Sequence, residues 1–306
     1  DSSACLLKDG NIVCAIEEER IRRVKHWAGF PSESIKFCLM DQRITINDVD
    51  YITISRNSKA NLLKKISYLF TTSLKLSIIF DRFKNLRKVN SVKQELANLF
   101  SLNINEIKAK VYNIEHHRSH IASAFFASSF SKSAILSVDG FGDFTSTMTA
   151  IGNNNKFKII NQVNYPHSLG LFYTTLTQFL GFLNYGDEYK VMGLAPYGEP
   201  KYLDQMEKIV NITNNGLFRL NKNYFKHFND GVAMEWNNGI PSIEKLYTKY
   251  WINLFGFPRR KQENINQKHK DLAASAQKLT ENVIFHLLNQ LYIQTGCESI
   301  CITGGV

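Results

Sequence analysis

The chain has 306 residues, 44% of them hydrophobic and 21% charged, with a formal net charge of +10. That length builds one large or two medium domains with a substantial core, and the composition is that of a globular protein. No apolar run reaches the roughly 18 residues that span a bilayer, and no secretory leader opens the chain, so the cytoplasm is the expected compartment. The five cysteines are odd in number and lack CxxC spacing, which favours reduced thiols over a disulfide framework or a zinc knuckle.

In chain order, Asp1-Ser2-Ser3 leads into two apolar runs, 4–7 and 11–16, flanking Lys8-Asp9-Gly10, a hairpin signal with Asp-Gly in the turn. Small hydroxyl and carboxylate residues ahead of such a hairpin can line a phosphate. Residues 17–26 read as a polar stretch running from three glutamates into basic residues. Gly29-Phe30-Pro31 breaks the chain, and a helix is expected over 32–40, with Pro31 and Ser32 marking its start. Residues 51–55 read as a buried strand. From 57 to about 100 the pattern is helical, with apolar residues at three- and four-residue intervals, an insertion of amphipathic helices.

That insertion carries most of the excess charge. Between Arg56 and Lys88 stand nine Lys/Arg residues against the single Asp81. A solvated basic helical pair, a patch attracting phosphorylated substrates, a nucleic acid and an anionic membrane surface all account for it. No recognised nucleic-acid motif accompanies the charge, so nucleic acid and membrane are the less favoured partners.

A short strand at 111–114 delivers the chain to EHHRSHIASAFFASSFSKSAILSVDGFGD, residues 115–143. His116 and His120 stand at i and i+4, so a helix projects both imidazoles from one face, the spacing that presents two nitrogen ligands to one metal ion. A strand over 134–138 then brings Asp139 into a tight turn with Gly140 and Gly142, where a carboxylate reaches a metal or a nucleotide phosphate. The bland readings are a solvated histidine face and an ordinary Asp-Gly turn. A zinc protease would need HExxH, and Arg118 and Ser119 fill the middle instead.

Paired strands are expected at 146–151 and 157–163, joined at Asn153-Asn154-Asn155, and a helix over 170–180. Gly186, Asp187, Glu188 and Lys190 gather charge ahead of Gly193, Pro196 and Gly198. A glycine-punctuated turn with one lysine and two acids suits a nucleotide or phosphoanhydride, although an exposed loop ahead of a helix has the same look. Residues 201–258 mix a helix, an Asn-rich turn and several aromatics expected at the surface. A long helix is expected over 273–293, with Leu279, Val283, Leu287 and Leu291 along one stripe. A strand over 299–303 then runs into Gly304-Gly305-Val306. With the abrupt start at Asp1, that ending points to a fragment cut at both ends.

Six stretches, DSSACLLKDGNIVCAIEEER, HHRSHIASAF, SVDGFGD, HSLGLFYTTLTQFLGF, EYKVMGLAPYG and TGGV, resemble the amino-terminal domain of the nodulation-type O-carbamoyltransferases. They occur in that family's order and span nearly the whole chain. Members carbamoylate nodulation factors and aminoglycoside or cephem antibiotics. The resemblance implies an α/β, actin-like ATPase (ribonuclease H-like) fold related to the tRNA threonylcarbamoyl transferases, with similar lobes at about 1–130 and 131–306. It implies a YrdC-like domain in cis that makes carbamoyl-adenylate from carbamoyl phosphate and ATP. The amino-terminal domain then passes the carbamoyl group to an acceptor hydroxyl on a sugar or secondary metabolite.

Carried over by position, the resemblance makes His116, His120 and Asp139 metal ligands, with iron the usual metal, and His117 an outer or acceptor-side group. Asp1, Ser2, Ser3, Gly140, Gly142, Glu188, Lys190, Gly193, Gly304 and Gly305 match stretches that line the nucleotide. It places a histidine, a plausible base, just before Asp1 and a further metal-binding aspartate after Val306, so no catalytic base is assigned and this chain alone is not expected to complete the transfer. A tRNA-modifying enzyme and a non-catalytic actin-like nucleotide-binding module are the alternatives. Two imidazoles and a carboxylate suit iron, zinc or manganese, and the acceptor is not legible.

Overall fold

A computed structural model gives the architecture of this mixed α/β protein and describes residues 2–71, 91–232, 234–237 and 240–306. In chain order, β1 (Ser3–Lys8) and β2 (Asn11–Glu17) are followed by α1 (Glu18–Arg22), α2 (Ser32–Asp41) and β3 (Tyr51–Ile54). Next come α3 (Leu62–Thr71), α4 (Val92–Phe100), β4 (Lys110–Asn113) and α5 (His116–Phe126). The meander β5 (Lys132–Gly142), β6 (Thr145–Asn153) and β7 (Lys156–Asn164) precedes α6 (Leu169–Phe179), α7 (Glu188–Leu194) and α8 (Leu203–Glu207). Then follow β8 (Val210–Ile212), β9 (Phe218–Leu220), α9 (His227–Asp230), β10 (Met234–Asn237) and β11 (Ile240–Ile243). The last elements are α10 (Lys249–Phe255), α11 (Gln267–Thr295) and β12 (Ile300–Thr303). No described helix is long and apolar enough to cross a membrane.

The chain forms two compact units. The first comprises Asp1–Ile54, Lys75–Asn113 and Val232–Glu244. Its hairpin turns at Asp9 (φ 52°) and Gly10 (φ 82°), two consecutive left-handed residues that match the twist of the paired strands. The polar stretch after it is not irregular: it forms α1 and places Glu18 fully buried. That carboxylate accepts hydrogen bonds from the Glu33 and Ser34 amides and from Arg22, so it caps α2 from a distance. The strand expected to be buried, β3, is half exposed. It pairs in parallel with β4 in a two-stranded sheet, so alternate side chains such as Tyr51 face out. Leu39, Ile46, Leu96, Ala97, Ile107 and Ala109 form this unit's core.

The second unit comprises Ser55–Leu74, Ile114–Gly231 and Lys245–Val306. Its centre is a four-stranded sheet in the order β12-β5-β6-β7, antiparallel except where β12 runs parallel to β5. The pleat of β5 decides what lies on each side. Ala134, Leu136 and Val138 join a core with α6 and α11. Ile135 faces the other way, into a cluster with Ile121 and Phe125 of α5.

Helix α11 runs 29 residues, ends at Gly296 in a left-handed cap, and buries the stripe Leu279, Val283, Leu287 and Leu291. Around residues 201–258 the expectation of surface aromatics holds for Tyr250 and Phe257 but not for the larger group that builds the core. Phe218, Phe225, Trp251 and Phe255 are among the most buried of the described side chains; Trp251 packs against Phe172, Phe179 and Phe225, and Phe255 against Phe179. Phe218 lies on the short β9 and Phe225 just after a turn, so no single period joins them to Trp251 and Phe255, one turn apart on α10; each contributes about 2–3 kcal/mol of apolar burial. Of the helical insertion expected near 57–100, α3 and α4 are present; Lys75, Asp81, Arg82, Lys84, Arg87 and Lys88 lie outside the described residues.

Candidate metal centre

Helix α5 starts where Glu115 folds its carboxylate back to accept the Arg118 amide at 2.9 Å, which satisfies one of the free amides of the first turn. From that start, His116 and His120 fall on one face, one turn apart. The pleat of β5 supplies the third group: Asp139 lies an even number of residues from Ile135, so it points to the side where α5 packs. The three side chains converge. His116 Nε2 lies 2.8 Å and His120 Nε2 3.1 Å from Asp139 Oδ2, and the two Nε2 atoms are 3.1 Å apart. Among the described residues this is the cluster of His, Cys, Asp and Glu whose donor atoms can hold a metal ion.

The donor set fits a cation. Nitrogen and oxygen donors bound at about 2.1 Å and at right angles to one another stand about 3.0 Å apart, close to the spacings found here. His116 Nδ1 faces the Ser55 carbonyl at 3.3 Å and donates to it. A neutral His116 then carries only a lone pair on Nε2, aimed at a carboxylate oxygen, and two acceptors in that position need a proton or a cation between them. Protonation behaviour agrees. The bond to Asp139 raises the His116 pKa above the usual imidazole value against the opposing effect of burial. Burial opposes ionisation of Asp139, but hydrogen bonds from His116, His120 and the Gly140 amide outweigh it and hold the carboxyl well below its usual range. All three side chains are half-buried, so one side of the cluster is open.

The glycines around the cluster are not the tight turn expected at Asp139. Strand β5 runs on through Gly142, and the reversal comes at Asp143 (φ 50°) and Phe144 (φ 81°). Gly142 is needed for close approach, because a methyl group there would overlap the His116 ring. Gly304 (φ 111°) lets the turn after β12 lie on the Val138 carbonyl, where a side chain would collide. A Cβ on Gly305 would stand 2.9 Å from Asp139 Oδ1, and one on Gly170 would stand 2.9 Å from the Gly140 backbone. Around Gly140 and Gly193 a Cβ meets nothing within 4 Å. The Ser168 hydroxyl, which caps α6, donates to the Gly140 carbonyl at 2.7 Å and ties that helix start to the end of β5.

Other residues singled out in the sequence have different neighbours. His117 is fully buried and links α5 to the sheet, with Nδ1 2.8 Å from Ser137 Oγ and Nε2 donating to the Thr145 carbonyl. Burial, with His116 beside it, pushes its pKa down to about 4, so it is a neutral strut rather than a group facing an acceptor. Glu188 accepts from Thr174 of α6 at 2.6 Å, and Lys190 pairs with Asp187 at 2.6 Å. Ser2 bonds the Gly29 backbone within the first unit, where Ser3 opens β1, and Asp1 lies outside the described residues. Sequence reasoning missed the Ser55 carbonyl as a partner of His116, since a backbone acceptor 61 positions away leaves no mark in residue types.

Comparison with known proteins adds an independent line. The family model described as Carbamoyltransferase N-terminus matches residues 1–306. The chain is 38% identical over 316 residues to an uncharacterized protein of Synechocystis, with all of this chain and 49% of that protein covered. It is 33% identical over 307 residues to the nodulation protein NolNO of Sinorhizobium fredii, covering all of this chain and 40% of NolNO. With the nodulation protein NolO of Bradyrhizobium diazoefficiens it shares 34% identity over 196 residues, 63% of this chain and 31% of NolO. The chain therefore spans half or less of the length of these relatives. The family model covers its entire length, and the chain belongs to the carbamoyltransferase N-terminus family.

Proposed function

We propose that the chain is the acceptor-side part of an ATP- and metal-dependent O-carbamoyltransferase. The carbamoyl group comes from carbamoyl phosphate through carbamoyl-adenylate made by a YrdC-like domain, and goes to a hydroxyl of a sugar or secondary metabolite in the cytoplasm. Family membership supports the group transferred. The observation that carries the site is the convergence of His116, His120 and Asp139 on one point at donor spacings that suit a cation.

The fold proposed with it is the actin-like ATPase class. Support comes from the sheet of the second unit, an antiparallel meander whose first strand takes a parallel fourth strand on its free side after a long helix.

In this reading His116 and His120 offer Nε2 and Asp139 one carboxylate oxygen to a divalent metal, iron by resemblance. When bound, the metal supplies positive charge that polarises a carbonyl or phosphoryl oxygen. The protein holds its ligands in place: Ser55 fixes the ring of His116, the Gly140 amide holds Asp139 Oδ1 at 2.7 Å, and Gly305 leaves that oxygen uncrowded. Amides of the glycine turns and Lys190 are assigned to the anhydride charge.

The test is metal content. Purified protein should carry or take up about one divalent ion per chain, and His120→Ala should lose it while circular dichroism stays unchanged. Unchanged metal content in that variant removes the assignment. Carbamoylation from carbamoyl phosphate and ATP is then measured on the full-length protein.

A further inference from the structure

The reversal between β5 and β6 is costly by its residue types. Asp143 and Phe144 both hold positive φ, at 50° and 81°, in a two-residue hairpin turn that ordinarily uses Asn-Gly. Aspartate tolerates that region through its short polar side chain, but for a bulky phenylalanine it is a strained outlier. Such a turn persists where its surroundings over-determine it, and here they do. Asn61 Nδ2 donates to the Asp143 carbonyl at 3.0 Å and to Thr145 Oγ1 at 3.2 Å. The Phe144 ring meets Tyr68 edge-on at 5.8 Å and Tyr165 at 5.7 Å.

What the turn presents is the Asp143 carboxylate. Its Oδ2 accepts two backbone amides, Asn57 at 2.6 Å and His116 at 3.0 Å. The first lies two residues beyond Ser55, whose carbonyl accepts the Nδ1 proton of His116. The second is the amide of the ligand residue itself. One carboxylate oxygen thus holds both the main chain of His116 and the segment carrying the carbonyl that orients its ring. It also sits at the start of α5, where free amides and the helix dipole favour a negative charge.

We infer that Asp143 is a positioning residue of the metal centre, which selects Nε2 of His116 as the coordinating atom by holding the Ser55 carbonyl against Nδ1. The inference rests on the reading of His116, His120 and Asp139 as a metal site, and adds a residue that touches none of the ligand atoms. A hydrogen-bond partner of a ligating histidine typically changes metal affinity by about 10- to 100-fold when removed, because the ring loses its tautomer and orientation.

The experiment uses protein labelled with 15N-histidine, as wild type and as Asp143→Ala, Asp143→Gly and Asp143→Asn. Co(II) affinity is measured by titration of the visible d–d bands, and the His116 tautomer, with the nitrogen that coordinates, by long-range 1H–15N correlation on the Zn(II)-loaded protein. Glycine keeps the positive φ and removes the carboxylate, whereas asparagine keeps both the turn and an acceptor oxygen. Ala and Gly should each weaken Co(II) by about 10- to 100-fold and move His116 from the Nδ1–H tautomer to a mixture. Asn should stay within a few-fold of wild type.

A Gly variant that binds like wild type while Ala does not overturns the inference, since only the turn geometry would then matter. Wild-type affinity and an unchanged tautomer in all three variants overturn it and leave the metal reading standing. A wild type that takes up no Co(II) overturns the metal reading and the inference with it. Thermal denaturation of each variant separates loss of fold from loss of positioning, and the Gly and Asn variants keep the test decisive if Ala fails to fold.

Discussion

Gly142→Ala isolates the demand that the metal centre places on a residue outside it. The added methyl group would fall inside the imidazole of His116, overlapping Cγ, Cδ2 and Cβ together. Carbon atoms sit comfortably at about 3.5–4.0 Å, so the ring or the strand must move by more than about 1 Å. Ligand geometry tolerates errors of about 0.2 Å, and a displaced His116 leaves only His120 and Asp139 as donors. Loss of a ligand should exceed the roughly 10- to 100-fold effect of losing a ligand's partner, so Co(II) affinity should fall by at least about 100-fold. Stability should fall by only about 1–3 kcal/mol, the usual cost of overpacking, because the open side of the cluster gives the ring somewhere to go. Metal titration and urea denaturation on the same preparation measure both. Near wild-type affinity with a small loss of stability would refute the reasoning, since it would mean that His116 ligates from elsewhere or not at all.

Gly304→Ala combines a φ of 111° with a collision on the Val138 carbonyl, next to the Val306 amide bond to that same oxygen; urea denaturation should show a loss of about 2–4 kcal/mol, and a change under 1 kcal/mol would count against the close approach. Burial pushes the His227 imidazole down to about 4 while its Nε2 donates to the Pro166 carbonyl at 2.8 Å. The unfolded chain binds that proton near pH 6.5 and the folded protein refuses it until about pH 4, so stability should fall as pH drops through this window, by about 3 kcal/mol in all. His227→Gln should flatten part of the slope of melting temperature between pH 7 and 5, leaving what His117 and His167 contribute; an identical slope would refute the assignment. Glu18→Ala removes a buried carboxylate from the Glu33 and Ser34 amides and from Arg22, and should cost about 2–3 kcal/mol in denaturant, against a few tenths if the carboxylate were solvated.

Local pattern was legible wherever one face of an element meets a core. The stripe of α11, the Asp-Gly hairpin, the β6–β7 pair and the one-turn spacing of His116 and His120 all follow from periods of 3.6 or 2 and from turn chemistry, which neighbouring residues set among themselves. Aspartate 139 was legible as a glycine-flanked carboxylate after a strand, but its partner depended on which face of β5 it takes and on α5 packing there. One glycine misled in the same way. Gly142 looks like a turn former in sequence, yet it continues β5 and is small because the His116 ring lies against it; Gly304 does turn the chain, at φ 111°, and it and Gly305 also leave room for a carbonyl and a carboxylate. Burial of Glu18 and His117, the aromatic core within 201–258 and the Ser55 carbonyl on His116 were decided by tertiary structure alone. A polar side chain is spelled the same whether water or a protein donor satisfies it, and only the packed chain determines which of the two it meets.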